Sequence, residues 1–377
     1  MSYIYKLAFL CYIPIISGLL FHFLFAVDLP LQRQESSILP GTEQIQKNEK
    51  AATANIIFKS TDGGQTWQDI SKGLPENVEE DGFFANESGL YLRAGNGIYH
   101  SKANSTVPFW IKDNISLPAR QGSIAPVNAG LVAYNFDGQF LQQTKGTDTW
   151  IPAYTNFKAK EVRTVFETAG GTLFIASNNQ LFKSTNSGKN WKALRTGGLV
   201  MKIVESNGVL LATGAEGILR SADDGENWKW VIKEGGVGIA VERIQGGFAA
   251  ITYNAQSRTR RVRTSYDGGK NWQAIDASLQ PAIFNDAIWQ PVTASTPAPG
   301  SSDSVWHPVN NALPLQAFIS SIIQVGENFF CGHPTGIFKS SDKGKSWKLI
   351  LPSIDARVFN LYGSGHVIYA IPKNEGC

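Results

Sequence analysis

The sequence predicts an all-β fold, a β-propeller of seven four-stranded blades, on three observations. Charged residues make up only 17% of the 377-residue chain while glycines number 37, a balance that suits many short strands and tight turns better than a helical bundle. The pattern Ser-x-Asp-x-Gly-x-x-Trp occurs at 60–67 ("STDGGQTW") and returns at 221–228, 265–272 and 340–347, with Asn186 in place of the Asp at 184–191. Tryptophans also keep a beat, since the steps from Trp67 to Trp110, Trp150, Trp191, Trp228 and Trp272 are 43, 40, 41, 37 and 44 residues. A period of about 40 residues, filled by short alternating strands, is what one blade per repeat requires.

The chain opens on an apolar run, residues 6–27, preceded by Lys6 and followed by Asp28. Positive charge before such a run, with translocation of the chain beyond it, describes a signal peptide or an N-terminal membrane anchor within residues 1–30. The protein is therefore expected to be exported, to the periplasm, cell surface or medium, and tethered to the membrane if the segment is uncleaved. Residues 31–50 are polar and aperiodic and read as a linker. Residues 51–377 carry the propeller.

Within one repeat, 161–194, the order is strand, glycine turn, strand, Asn-rich turn, strand, motif turn, strand. Further blades follow at 78–114, 120–154, 198–233, 237–276 and 317–350. Residues 51–73 supply only a third and fourth strand, and 356–372 only a first and second. Joined, the two fragments complete the seventh blade and remove the open sheet edges of an unclosed array. Residues 277–316, with "PVTASTPAPGSSDS", show too little alternation for four strands and read as an insertion, the alternative being an eighth blade.

An Asp side chain can accept hydrogen bonds from backbone N–H groups a few residues on, Gly permits positive φ, and Trp buries a large ring. Ser60, Asp62, Gly64 and Trp67 fit that structural role. So do Asn186, Gly188 and Trp191; Asp223, Gly225 and Trp228; Asp267, Gly269 and Trp272; and Asp342, Gly344 and Trp347. Asn186 at an Asp position argues for turn building over acid–base chemistry. No catalytic residue is assigned.

In this form the motif resembles the Asp-box of BNR-repeat propellers, the sialidase-like superfamily, over the chain from about residue 51 onward. In architecture the chain is most similar to the exported propellers of the photosystem II stability and assembly factor type. That resemblance implies a protein- or glycan-binding scaffold that uses the loop face opposite the Asp-boxes. A sialidase-type exo-glycoside hydrolase is the alternative; it implies three arginines on a carboxylate and a Tyr–Glu nucleophile pair, but the early Arg-Ile-Pro signature of that family is absent.

Candidate binding residues are cationic. Arg258, Arg260, Arg261 and Arg263 fall in "SRTRRVR", read as the hairpin between the second and third strands of the 237–276 repeat. Arg163, Lys202, Arg243 and Arg357 are read near the starts of inner strands, facing the central channel or solvent. Guanidinium groups there can bind carboxylates or phosphates. The near-balance of 34 basic and 31 acidic residues argues against nucleic acid as a partner. Five scattered histidines give no ligand spacing, so neither metal nor cofactor is expected. A monomer is expected, and Cys331 and Cys377 are the one pair that can form a disulfide.

Overall fold

The computed structural model describes residues 56–373 apart from 77, 88, 103–108, 119–120, 146, 148, 179, 280–288, 292–305, 309–318 and 355–356. The targeting segment, the linker, Cys377 and most of the 277–316 insertion therefore lie outside the described residues.

Seven antiparallel sheets of four strands account for nearly all of the regular structure. Six of them are built in chain order. Their innermost strands are Gly82–Ala85, Gly122–Val127, Val162–Glu167, Val200–Ser206, Gly238–Ile244 and Ser321–Val325. Each is followed outward by three more, as in Leu173–Ser177, Leu181–Ser184 and Lys192–Leu194. The seventh sheet is composite: Val358–Ser364 is innermost, Val367–Lys373 second, and the N-terminal Phe58–Ser60 and Gln68–Asp69 complete it outward. Phe58 faces Ala370 and Ser60 faces Ile368 across the junction, and the Phe58 and Phe359 rings meet edge to face at 6.3 Å.

The seven innermost strands contact one another in a closed cycle, each touching the next and Val358–Ser364 touching Gly82–Ala85. They surround a central channel. The second strand of each blade is sandwiched between neighbouring blades, so it reads as nearly continuous apolar sequence: every residue of Leu173–Ser177 is buried, as expected for a sheet covered on both faces. Phe174, Ala176 and Leu181 of one blade pack with Val200, Ile203, Leu210 and Ala212 of the next. Each such aliphatic or aromatic side chain contributes roughly 1.5–3 kcal/mol on burial.

The insertion carries a short hairpin, Trp289–Pro291 paired with Trp306–Pro308. No further described strand joins it, so the ring has seven blades and the eight-blade alternative falls. The stretch 289–308 holds four prolines, none of which can donate to a sheet ladder.

Antiparallel order fixes the two ends of the ring. Turns joining strands 1 to 2 and strands 3 to 4 share one end; turns joining strands 2 to 3, and the starts of the inner strands, share the other.

Candidate binding site at the central channel

Five motif turns occupy the first of these ends, and their polar groups are spent on the backbone. The Ser Oγ accepts from the Gly amide at 2.9, 3.0, 3.0, 3.0 and 2.8 Å in the turns at Ser60, Ser184, Ser221, Ser265 and Ser340. The same hydroxyl donates to the Asp or Asn Oδ1. That oxygen in turn accepts amide N–H groups, Gln65 and Thr66 on Asp62, for example, and Lys270 and Asn271 on Asp267. Asn186 does the same for the Asn190 amide at 2.9 Å.

Ionisation of the four aspartates follows from this geometry. The Thr66 hydroxyl and amide hold Asp62 well below the usual carboxylate range. Asp223 and Asp342 are lowered to about 2, chiefly by the side chains of Asn227 and Ser346. Such groups are charged at neutral pH and cannot donate a proton there. Glycine is required at these corners for two reasons: Gly64 has φ +85°, and a Cβ on it would lie 2.5 Å from Ile350 Cδ1 of the neighbouring blade.

Several ionisable side chains around the channel are tied to one another, some of them across blades. Glu80, just before Gly82–Ala85, accepts from the Tyr362 hydroxyl at 3.0 Å and pairs with Lys373 Nζ at 3.0 Å. These contacts join the first inner strand to both strands of the composite blade, so they fasten the ring at its closure. Arg93, with its side chain almost wholly buried, pairs with Asp81 at 2.7 Å. Lys202 pairs with Glu242 of the next inner strand. Burial raises the Tyr362 hydroxyl pKa well above its ordinary value, and the Glu80 and Glu242 carboxylates push it the same way.

The predicted cationic residues are dispersed by the fold. Arg163 falls at a bulge between Val162 and Thr164; it is exposed, donates to Asn178 Oδ1 at 2.6 Å and lies over the Phe136 ring. Such a bulge re-aims one side chain out of the ladder. Lys202 is near its strand start as expected, but is consumed by Glu242. Arg357 directly precedes Val358–Ser364 and is half-buried. Arg243 departs from expectation: it is the sixth residue of Gly238–Ile244, which places it at the motif-turn end of the channel and not at the strand start.

The arginine-rich segment also differs from a free hairpin. Only Arg258 is in the turn, exposed and with φ 55°, while the other three lie on the third strand, Thr259–Ser265. Arg260 is buried and donates to Ile319 O at 2.6 Å. Arg261 makes a fork to Asp276 at 2.9 Å, and Arg263 binds Glu234 at 2.5 Å and the Thr252 hydroxyl. Alternation along the strand sends Arg260 to one side and Arg261 and Arg263 to the other.

Sequence reasoning does not single out Tyr362 or Arg93. Tyr362 and Glu80 are 282 positions apart, so ring closure alone brings them together. Among the described residues no three His, Cys, Asp or Glu side chains gather as a metal site. Cys331 is buried, and its proposed partner lies outside the described residues.

No family model and no curated protein matches the chain. Among solved structures it is similar to the GH74 xyloglucanase of Xanthomonas campestris, with TM-score 0.55 and 15% identity over 81% of this chain and 53% of that one. It is also similar to the extracellular domain of a hybrid two component system from B. thetaiotaomicron, with TM-score 0.53 and 12% identity over 74% and 35%. The chain thus spans about half the length of the first and a third of the second. At such identities the likeness is one of fold, a seven-bladed propeller, and many functions share that scaffold.

Proposed function

We propose that this is an exported, non-catalytic propeller that holds a protein or glycan partner on the end of the ring opposite the motif turns. The observation that carries the reading is the state of the Tyr362–Glu80 pair. A sialidase-type enzyme needs a carboxylate free to take the tyrosine's proton, whereas Glu80 is engaged by both the Tyr362 hydroxyl and Lys373 Nζ, each at 3.0 Å, and the Tyr362 hydroxyl pKa is raised above its ordinary value. Arg93, whose partner Asp81 directly follows Glu80 in sequence, is turned to that carboxylate. The BNR-type repeat, the xyloglucanase and the extracellular sensor domain among the fold neighbours support an extracytoplasmic binding role. On the binding end, Arg258 and Arg163 are exposed and available to a partner's acceptors.

The test is to incubate the full chain with immobilised envelope glycoprotein and with a sialoside and xyloglucan panel, scoring retention and released reducing ends together. Retention without release, weakened by Arg258→Gln with Arg163→Gln, is expected. Catalytic release of sugar that disappears in Glu80→Gln would overturn the reading in favour of a hydrolase.

A further inference from the structure

The motif-turn end of the channel carries a second, independent feature. A device recurs there: the residue two positions before the first turn residue of a strand 1–2 hairpin reaches back and accepts from the first turn amide of the preceding blade. Glu167 accepts from the Asn128 amide at 2.5 Å, Glu205 from the Ala169 amide at 2.8 Å, and Gln324 from the Gln245 amide at 2.7 Å. Position for position, the residue facing the Asn207 amide is Arg243, and the one facing the Gly326 amide is Gly363. Neither supplies an acceptor. Among the described residues no side chain accepts from the Asn207 or Gly326 amide, and Arg243 has no hydrogen-bond or ion-pair partner.

A cavity of about 770 Å³ opens where the device is broken. Its lining comes from the strand 1–2 hairpins of four consecutive blades, with Ser206, Asn207, Arg243, Gln245, Gln324 and glycines at 246, 326, 363 and 365. Arg243 is the one charged side chain among the lining residues. A size of this order suits a ligand of one or two sugar rings. At the Asn207 position the uncapped, exposed amide and the unpaired Arg243 guanidinium form a pair of donors suited to an anion. Two Glu carboxylates and the Gln324 amide oxygen satisfy the equivalent amides elsewhere in the ring, so the position accepts a planar oxygen group; the Arg243 guanidinium selects a carboxylate among these through a charge-assisted bond. Ser, Asn and Gln supply donors and acceptors suited to hydroxyl groups, and Ile244, the one apolar lining side chain, is buried, which leaves little for a peptide side chain to anchor on.

We infer that this cavity binds the carboxylate of an acidic saccharide, held by Arg243 and the Asn207 amide. It is a separate site from the partner surface proposed above, on the other end of the ring.

Calorimetric titration of the full chain with digalacturonic acid tests this, with cellobiose as the uncharged comparison and a capped Asp-Glu tetrapeptide as the other carboxylate source. Digalacturonic acid should bind and cellobiose should not. Arg243→Gln should weaken binding at least about tenfold, the range expected for losing one charge-assisted pair. Arg243→Glu should abolish binding while leaving the thermal midpoint at or above that of the wild type, because its carboxylate supplies the missing cap on Asn207. Because Arg243 is exposed, both variants are expected to fold, which circular dichroism verifies. Absence of binding, equal binding of cellobiose, preference for the peptide, or indifference to Arg243→Gln would each overturn the assignment. Arg258→Gln should leave this titration unchanged, which keeps its outcome distinct from that of the partner surface.

Discussion

Two kinds of outer turn coexist in the ring, and their tryptophans behave differently. In the blades that keep the motif the indole is only partly buried, and at Trp67, Trp228 and Trp272 its N–H donates within the turn, to Gly64, Gly225 and Gly269. In the two eroded blades Trp110 and Trp150 are 1% and 7% exposed and their indoles reach across to the preceding blade, Trp110 to Ile70 O at 2.8 Å and Trp150 to Asp113 Oδ2 at 2.7 Å. Trp347 is intermediate, with a complete motif but an indole that donates to Ile275 O of the blade before. A turn that builds its own hydrogen bonds can leave its ring half outside. A turn that has lost them is held by a buried ring that staples adjacent blades.

The comparison breaks most severely at Trp110. Trp110→Ala should cost about 3–5 kcal/mol by urea unfolding, the range for emptying a buried aromatic site, and Trp67→Ala distinctly less; equal losses would erase the distinction. Trp150→Phe keeps the ring but strips the buried Asp113 carboxylate, also 2.5 Å from His100 Nδ1, of one donor. A loss of about 1–3 kcal/mol is expected, where Trp228→Phe should change little. Ser340→Ala removes the acceptor of the Gly344 amide and should cost about 1–2 kcal/mol, an effect with no counterpart in the eroded turns.

Replacing Asp with Asn should matter least, as Asn186 already shows that the amide oxygen suffices. The difference appears in acid. The folded-state pKa values of Asp62, Asp223, Asp267 and Asp342 are all depressed, so the stability they contribute is present above the unfolded value of roughly 3.9. It is lost as pH falls below about 4 and through the folded values, furthest into acid for Asp62 and Asp267. A variant with all four changed to Asn should show a flatter stability profile over that window and a near-unchanged one at pH 7.

Much of the ring was legible in advance because its determinants are local. The motif turns, the tryptophan beat and the alternating strands recur around the ring, and the split N- and C-terminal fragments leave one way to close. Even the cross-blade caps have a sequence signal, an acceptor two residues before the turn in three of the inner hairpins, visible once Glu167, Glu205 and Gln324 are aligned. The side-chain pairings did not announce themselves. Arg261 and Arg263 look like a free basic cluster until Asp276 and Glu234, 15 and 29 positions away, are brought beside them. Tyr362 and Glu80 meet only because the ring closes.

That last pair offers the sharpest measurement. Thermal unfolding and glycan release should be followed together in Tyr362→Phe and Glu80→Gln against the wild type. If the pair fastens the closure of a binding propeller, both variants lose stability, by about 1–3 kcal/mol each, and no release of sugar is detected in any of the three. Wild-type release of sugar that both variants abolish, with unfolding unchanged, would contradict the account and make the pair catalytic.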